Sequence, residues 1–296
     1  MSGRSDNPPF GLCIQERDVM LELFTYKFIV NAVFAAVFAA VSCGIIGTYI
    51  VTKRIVSVSG GIAHASFGGV GIGYWMGINP VIGAAVFGIA SALGIQFFSK
   101  RVNIRKDSLI GIMWSFGMAT GIIFIFLTPG YAPNLMTYLF GNILTVSNAD
   151  IMMMLGISMF TVVFFAVFFD QILYISFDEE YMTIQGVSTS FINNIIWILI
   201  ALTVVINMRV VGIILVISLL TIPQATAELF SRDFKHLMLF SMIFAFIAVV
   251  SGLVISYRIN IPSGAAIIFS SIIIFVILDA LKRLSIIGRR SLTETR

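Results

Sequence analysis

Charge is scarce in this sequence. Asp, Glu, Lys and Arg make up 11% of its 296 residues, against roughly 25% in a soluble globular domain, so most of its surface has no means of facing water. Fourteen acidic and eighteen basic residues leave a formal charge of +4, with the basic residues in short clusters at the ends of apolar runs; this excludes a nucleic-acid footprint. Two cysteines, Cys13 and Cys43, lack the spacing of a disulfide framework and read as packing residues. Catalytic signatures are missing too. There is no G-x-x-x-x-G-K-[ST] phosphate loop, no H-E-x-x-H zinc helix and no paired intramembrane carboxylates, and Gly186, Val187 and Ser188 are not followed by the glycine of a nucleophile elbow. The chain cannot hydrolyse ATP by itself. Any pumping would draw on an ion gradient or on another subunit.

What is present is apolar length. Hydrophobic residues fill 59% of the chain and the mean hydropathy is +1.04, which predicts an all-α polytopic membrane protein, because a helix satisfies its own backbone in hydrocarbon. Windows long enough to cross about 30 Å of lipid fall at 28–51, 58–77, 80–98, 109–128, 150–170, 191–208, 210–227, 236–257 and 262–281. That gives nine spans. The joint at Asn207, Met208 and Arg209 is so tight that one neighbour could be re-entrant or discontinuous, leaving eight crossings as the alternative. The expected organisation is a leader over 1–27, external or interfacial, one transmembrane domain over 28–283 and a tail over 284–296. Within it, the apolar 129–149 stretch is too short to cross and return, and is expected to fold back on the external face.

Basic residues set the orientation. Lys53 and Arg54, then Lys100, Arg101, Arg105 and Lys106, then Arg232 and Lys235, then Lys282, Arg283, Arg289 and Arg290 follow alternate spans. Cytoplasmic loops accumulate Lys and Arg, so these ends are expected inside, together with the C-terminus.

The stretch from Ser59 to Gly77, SGGIAHASFGGVGIGYWMG, carries the single histidine within any apolar segment, His64. An ionisable group at such depth is costly and marks a functional site by default, and the surrounding small residues let helix backbones approach closely. The pattern points to a helix beside a pathway rather than one facing lipid. His64 is a candidate for an interhelical hydrogen bond, for metal ligation or for proton relay. A transition metal needs about four donors or more, so one imidazole does not complete a site.

A second feature is FDEEYMTIQGVSTS, Phe177 to Ser190, where Asp178, Glu179 and Glu180 break the positive-inside pattern. Acids suit a helix start and Gly186 suits a helix stop. The segment reads either as a solvated loop helix or as a docking helix for a separate motor protein. Asn31, Gln96, Asn193, Asn194 and Gln224 read as helix-to-helix hydrogen bonders. Asp279 reads as one half of a charge pair near Lys282, Asp107 as a first-turn anion, and His236 as a solvated side chain.

Several blocks in order carry a resemblance: IAHASFGG at 62–69, DSLIGI at 107–112, MTYLFGNILTVS at 136–147, FDEEYMTIQGV at 177–187, VVGIILVISLLTIPQATA at 210–227 and IPSGAAII at 261–268. From about Phe28 to Arg283 the chain resembles the membrane permease subunit of the zinc, manganese and iron ABC importers. The resemblance implies a type II-like ABC importer permease fold, working as a homodimer by alternating access in a prokaryotic cell (inner) membrane. It implies a dimer of cytoplasmic ATPases that bind the ATP, an extracellular substrate-binding protein that delivers the metal, and no cofactor of the chain's own. The cargo would be a divalent transition metal, Zn²⁺ or Mn²⁺ and possibly iron. It places Phe177, Asp178, Glu179, Glu180, Gln185 and Gly186 at the ATPase, and Ser59, Gly60, His64, Ser66, Pro223 and Gln224 along the pathway, with His64 as the metal-contacting residue. One position departs from the pattern. Many relatives carry Asp-x-x-x-His here, and this chain has Gly60 where the acid would stand, so a hard oxygen ligand is lost and the case for manganese is weakened relative to softer, zinc-like handling. The rival class is a secondary transporter or channel that needs no ATPase.

Overall fold

The computed structural model describes residues 27–101, 105–129, 141 and 143–294. The leader and most of the 129–149 stretch lie outside the described residues. Those described are helical with no strand. In chain order the helices are α1 (Lys27–Thr52), α2 (Val56–Met76), α3 (Pro80–Arg101), α4 (Lys106–Leu127), α5 (Asn148–Val167), α6 (Phe169–Phe177), α7 (Glu179–Ile184), α8 (Thr189–Val211), α9 (Ile213–Leu219), α10 (Ile222–Glu228), α11 (Phe234–Ile259) and α12 (Ser263–Glu294).

Seven of these, α1, α3, α4, α5, α8, α11 and α12, are long and apolar enough to cross a membrane. Helix α2 has the length, at 21 residues, and falls outside that set because glycine, serine and His64 dilute its hydropathy. The window at 210–227 is the broken pair α9–α10. Counted with α2, these account for all nine predicted windows among the described residues. The joint lies slightly later than the sequence suggested: α8 runs through Asn207 and Arg209 to Val211, and the chain turns at Gly212, whose φ of 86° and ψ of 160° only glycine adopts freely. Helix α12 continues through Glu294, into the stretch expected to be a tail.

The basic clusters gather on one face. Lys53 at the end of α1 reaches the α6 carbonyl of Ile175, Lys100 at the end of α3 meets Glu179, and Ser57 at the start of α2 donates to Asp107 at the start of α4. Lys235 lies over the Phe169 ring, and Lys282 donates to the Leu229 carbonyl. Asp279 pairs with Arg283, one turn on.

The opposite face is tied by Asn31, which donates to the Val146 carbonyl and to Asn148, and by an ion pair. Ser147 and Asp150 form a capping box at the start of α5, and the free side of the Asp150 carboxylate meets the Arg209 guanidinium of α8 at 3.0 Å. Asp150 is buried while Arg209 is more than a third exposed. Removing one partner of a fully buried pair costs 3–5 kcal/mol; solvent screening of Arg209 reduces this to about 2 kcal/mol. Arg209→Met is therefore expected to lower the melting temperature in detergent, and an unchanged melting curve would dispose of the clamp.

Helices α2, α3 and α4 pack backbone to backbone. A Cβ on Gly69 would collide with the Gly83 carbonyl, and one on Gly83 with the Gly69 carbonyl; Gly117 lies against Ala65 and Gly121 against Phe67 in the same way. Gly costs a helix about 1 kcal/mol relative to Ala in water. Within a membrane the unbonded alternative is worse, and the close approach recovers dispersion contacts.

Candidate functional site

Helix α2 places His64 at the one gap in its burial. From Val58 to Gly71 every residue is buried except His64, which is part-exposed. Its imidazole lies flat against the indole of Trp114 on α4, ring centroids 3.9 Å apart and planes within 7°. Nδ1 is buried with no hydrogen-bond partner, so the interhelical hydrogen bond considered for His64 is not made at that atom. Gly60, one turn earlier on the same face, has space beside it: a Cβ there would meet Ile217 Cδ1 of α9 at 3.6 Å, an ordinary contact. The flank around His64 is thus bounded by α2, α4 and α9. Sequence reasoning missed Trp114. A tryptophan in an apolar helix carries no local signal that its partner is an imidazole 50 residues away.

Ser59 and Ser66 are fully buried, and their hydroxyls bond back to the Val56 and Ile62 carbonyls of their own helix. Gln224 is fully buried as well. Its amide donates to the Cys43 carbonyl of α1 at 2.9 Å and to the Leu219 carbonyl at 3.2 Å, so it supplies a donor to a carbonyl freed at the break between α9 and α10. This is the helix-to-helix role expected for it, and in this conformation it holds the break. Pro223 stands in the first turn of α10, where a missing N–H costs nothing. It lines a tight crevice with Thr226, Phe244 and Ser271. Among the described residues no group of three or more His, Cys, Asp or Glu side chains converges.

The acidic segment runs from the end of α6 through the short helix α7 to the start of α8. Asp178 ends α6 and caps α7, its carboxylate accepting from the Tyr181 N–H at 2.9 Å. Glu179 pairs with Lys100 at 2.6 Å, and Gly186 takes a left-handed φ of 83° at the stop. Burial lowers the Lys53 ammonium from its ordinary value, with Glu179 acting in the opposite direction. Met182 anchors α7 inward while Phe177 and Ile184 stand 75% and 83% exposed. Glu180, Gln185 and Gly186 are also exposed. Large apolar side chains turned outward between acids, on a face otherwise basic, form a surface suited to another protein.

The chain matches the family model described as the ABC 3 transport family over residues 25–282. It is 35% identical over 255 residues to the manganese transport system membrane protein MntC of Listeria monocytogenes, covering 86% of this chain and 91% of that one. It is 37% identical over 239 residues to a probable metal transport system membrane protein of Chlamydia trachomatis, covering 79% and 82%. Among solved structures, PsaBC from Streptococcus pneumoniae in complex with Fab superposes with a TM-score of 0.79 at 31% identity, over 89% of this chain and 95% of that one.

Proposed function

Because the chain belongs to the ABC 3 transport family, we propose that it is the permease subunit of an ATP-driven importer that carries a divalent transition metal through the bilayer. Manganese is the first candidate cargo. The manganese transport relative supports it, and it outweighs the inference drawn from the missing acid at Gly60, because a passing ion has to leave and a tight oxygen cage would hold it. Zinc and iron stand as comparators. The observation that carries the reading is His64: the single part-exposed residue between Val58 and Gly71, with its ring held against Trp114.

In this reading the basic face is cytoplasmic and α12 ends there. The α6–α7 segment meets an ATPase that binds and hydrolyses the ATP, and a second copy of the chain completes the route. A substrate-binding protein delivers metal to the face that carries Asp150 and Arg209. Alternating access follows as ATPase closure displaces α6–α7 and the helices tied to it.

The decisive experiment is reconstitution of the chain with its ATPase and binding protein, measuring Mn²⁺-stimulated ATP hydrolysis and uptake against Zn²⁺ and Fe²⁺. Metal flux through the purified chain without an ATPase would sink the reading. The docking surface is tested separately. Asp178 and Glu179 also hold α7 together, so the informative change is Glu180→Lys combined with Phe177→Ala. It is expected to weaken ATPase association about tenfold, as loss of an interface hot spot does, at unchanged helicity; undiminished copurification would remove the segment from the interface.

A further inference from the structure

The joint between α1 and α2 rests on the α6–α7 segment. Lys53 directly follows α1 and donates from its ammonium to the Ile175 carbonyl at 2.5 Å. That carbonyl lies in the last turn of α6, where helix carbonyls lack intrahelical partners, so the contact is a charge-assisted bond to a group otherwise left over. From the other side, Glu179 holds Lys100 of α3. The segment is gripped twice.

Immediately beyond Lys53 the chain turns at Arg54, a non-glycine residue with φ of 56°. The Arg54 N–H donates to the Val51 carbonyl at 2.9 Å and the Ile55 N–H to the Ile50 carbonyl at 3.0 Å, a helix ending that commonly uses glycine at the left-handed position. A side chain there strains the backbone but leaves it far fewer conformations than glycine would. The turn is short and stiff. Helix α2 begins two residues later, at Val56, and His64 follows about 12 Å along its axis.

We propose that Lys53 is a coupling strut, a positioning residue that carries displacement of α6–α7 through the stiff Arg54 turn into α2, the helix bearing His64. Lys53 and Arg54 then set how much metal moves for each ATP hydrolysed. The inference rests on the transport reading above.

The test uses the full chain reconstituted with its ATPase and binding protein in proteoliposomes, with Mn²⁺ uptake and ATP hydrolysis measured on the same sample. Lys53→Met keeps an apolar stem and removes the donor. Arg54→Gly accepts the same backbone without a Cβ penalty, so it folds, but it loosens the turn. Each is expected to lower Mn²⁺ transported per ATP about five-fold, within the range of mutations along a coupled network, while the ATPase still copurifies and hydrolyses. Lys53→Arg, which retains a cationic donor, is expected to restore most of the ratio. A purely structural lysine would lower uptake and hydrolysis together and leave the ratio as it was. That result for Lys53→Met, or an unchanged ratio for Arg54→Gly if Lys53→Met does not assemble, overturns the proposal. If the unmutated complex shows no ATP-dependent uptake, the transport reading falls and takes this inference with it, which keeps the two failures apart.

Discussion

His64→Ala is expected to cut Mn²⁺ uptake about tenfold or more, the scale on which a metal route responds to loss of a polar group close to the ion, at unchanged expression and ATPase association. The stability cost should be small by comparison. Truncation removes an aromatic contact with Trp114, worth about 0.5–1.5 kcal/mol, and Nδ1 forfeits no hydrogen bond because it makes none. Uptake and folding are therefore affected unequally, and uptake per folded molecule separates the two. A mutant that transports at the full rate would take His64 out of the mechanism. Gly60→Asp gives the converse arm. Its Cβ meets only Ile217 at 3.6 Å, so the added side chain has room one turn from the imidazole, where its carboxylate should prolong metal retention and slow release.

The largest effect on folding is expected at Gly69→Val. Overpacking a core costs about 1–3 kcal/mol when side chains can yield. Here the obstacle is the Gly83 carbonyl, which is backbone and cannot rotate away. Helices α2 and α3 would have to separate, and with them the Gly117 and Gly121 contacts that hold α4 against the other side of α2. The cost should reach the top of that range or exceed it, with loss of monodisperse protein in detergent. The control is Gly94→Val on α3, where a Cβ meets nothing within 4 Å; equal damage from both would show that a β-branched side chain in the helix, not close approach, is responsible.

The span pattern was legible because hydrocarbon enforces it. Each predicted window corresponds to a described helix or to the α9–α10 pair, with boundaries within a few residues except at the far end of α12, which runs on to Glu294. Composition alone could not locate the turn at Gly212: Asn207, Met208 and Arg209 look like a loop, yet Asn207 is fully buried and donates within α8 to the Thr203 carbonyl and across to Ser42. The local charge pair expected at Asp279 is made with Arg283 at i+4, the spacing at which a helix face brings opposite charges together. His64 and the acidic segment stood out as residues in the wrong company. Their partners did not. Trp114, Lys53 and Lys100 are ordinary in their own stretches, and only the packing of α2 on α4, and of α6–α7 on the ends of α1 and α3, gives them meaning.

The interruption between α9 and α10 bears on the electrical thickness of the protein. Ile213 to Glu228 spans 16 residues, about 24 Å if fully helical, several ångströms less than the hydrocarbon around it. Lipid does not have to thin to match this length, because α1, α11 and α12 pack around the pair and most of its side chains are buried. The shortfall therefore lies inside the protein. In the proposed transport reading, water entering from either end would stand closer to its counterpart here than across lipid, so the membrane potential would drop over a shorter path. In the proposed transport cycle, an ion moving beside this pair would meet a steeper field and a thinner dielectric barrier than the bilayer alone presents.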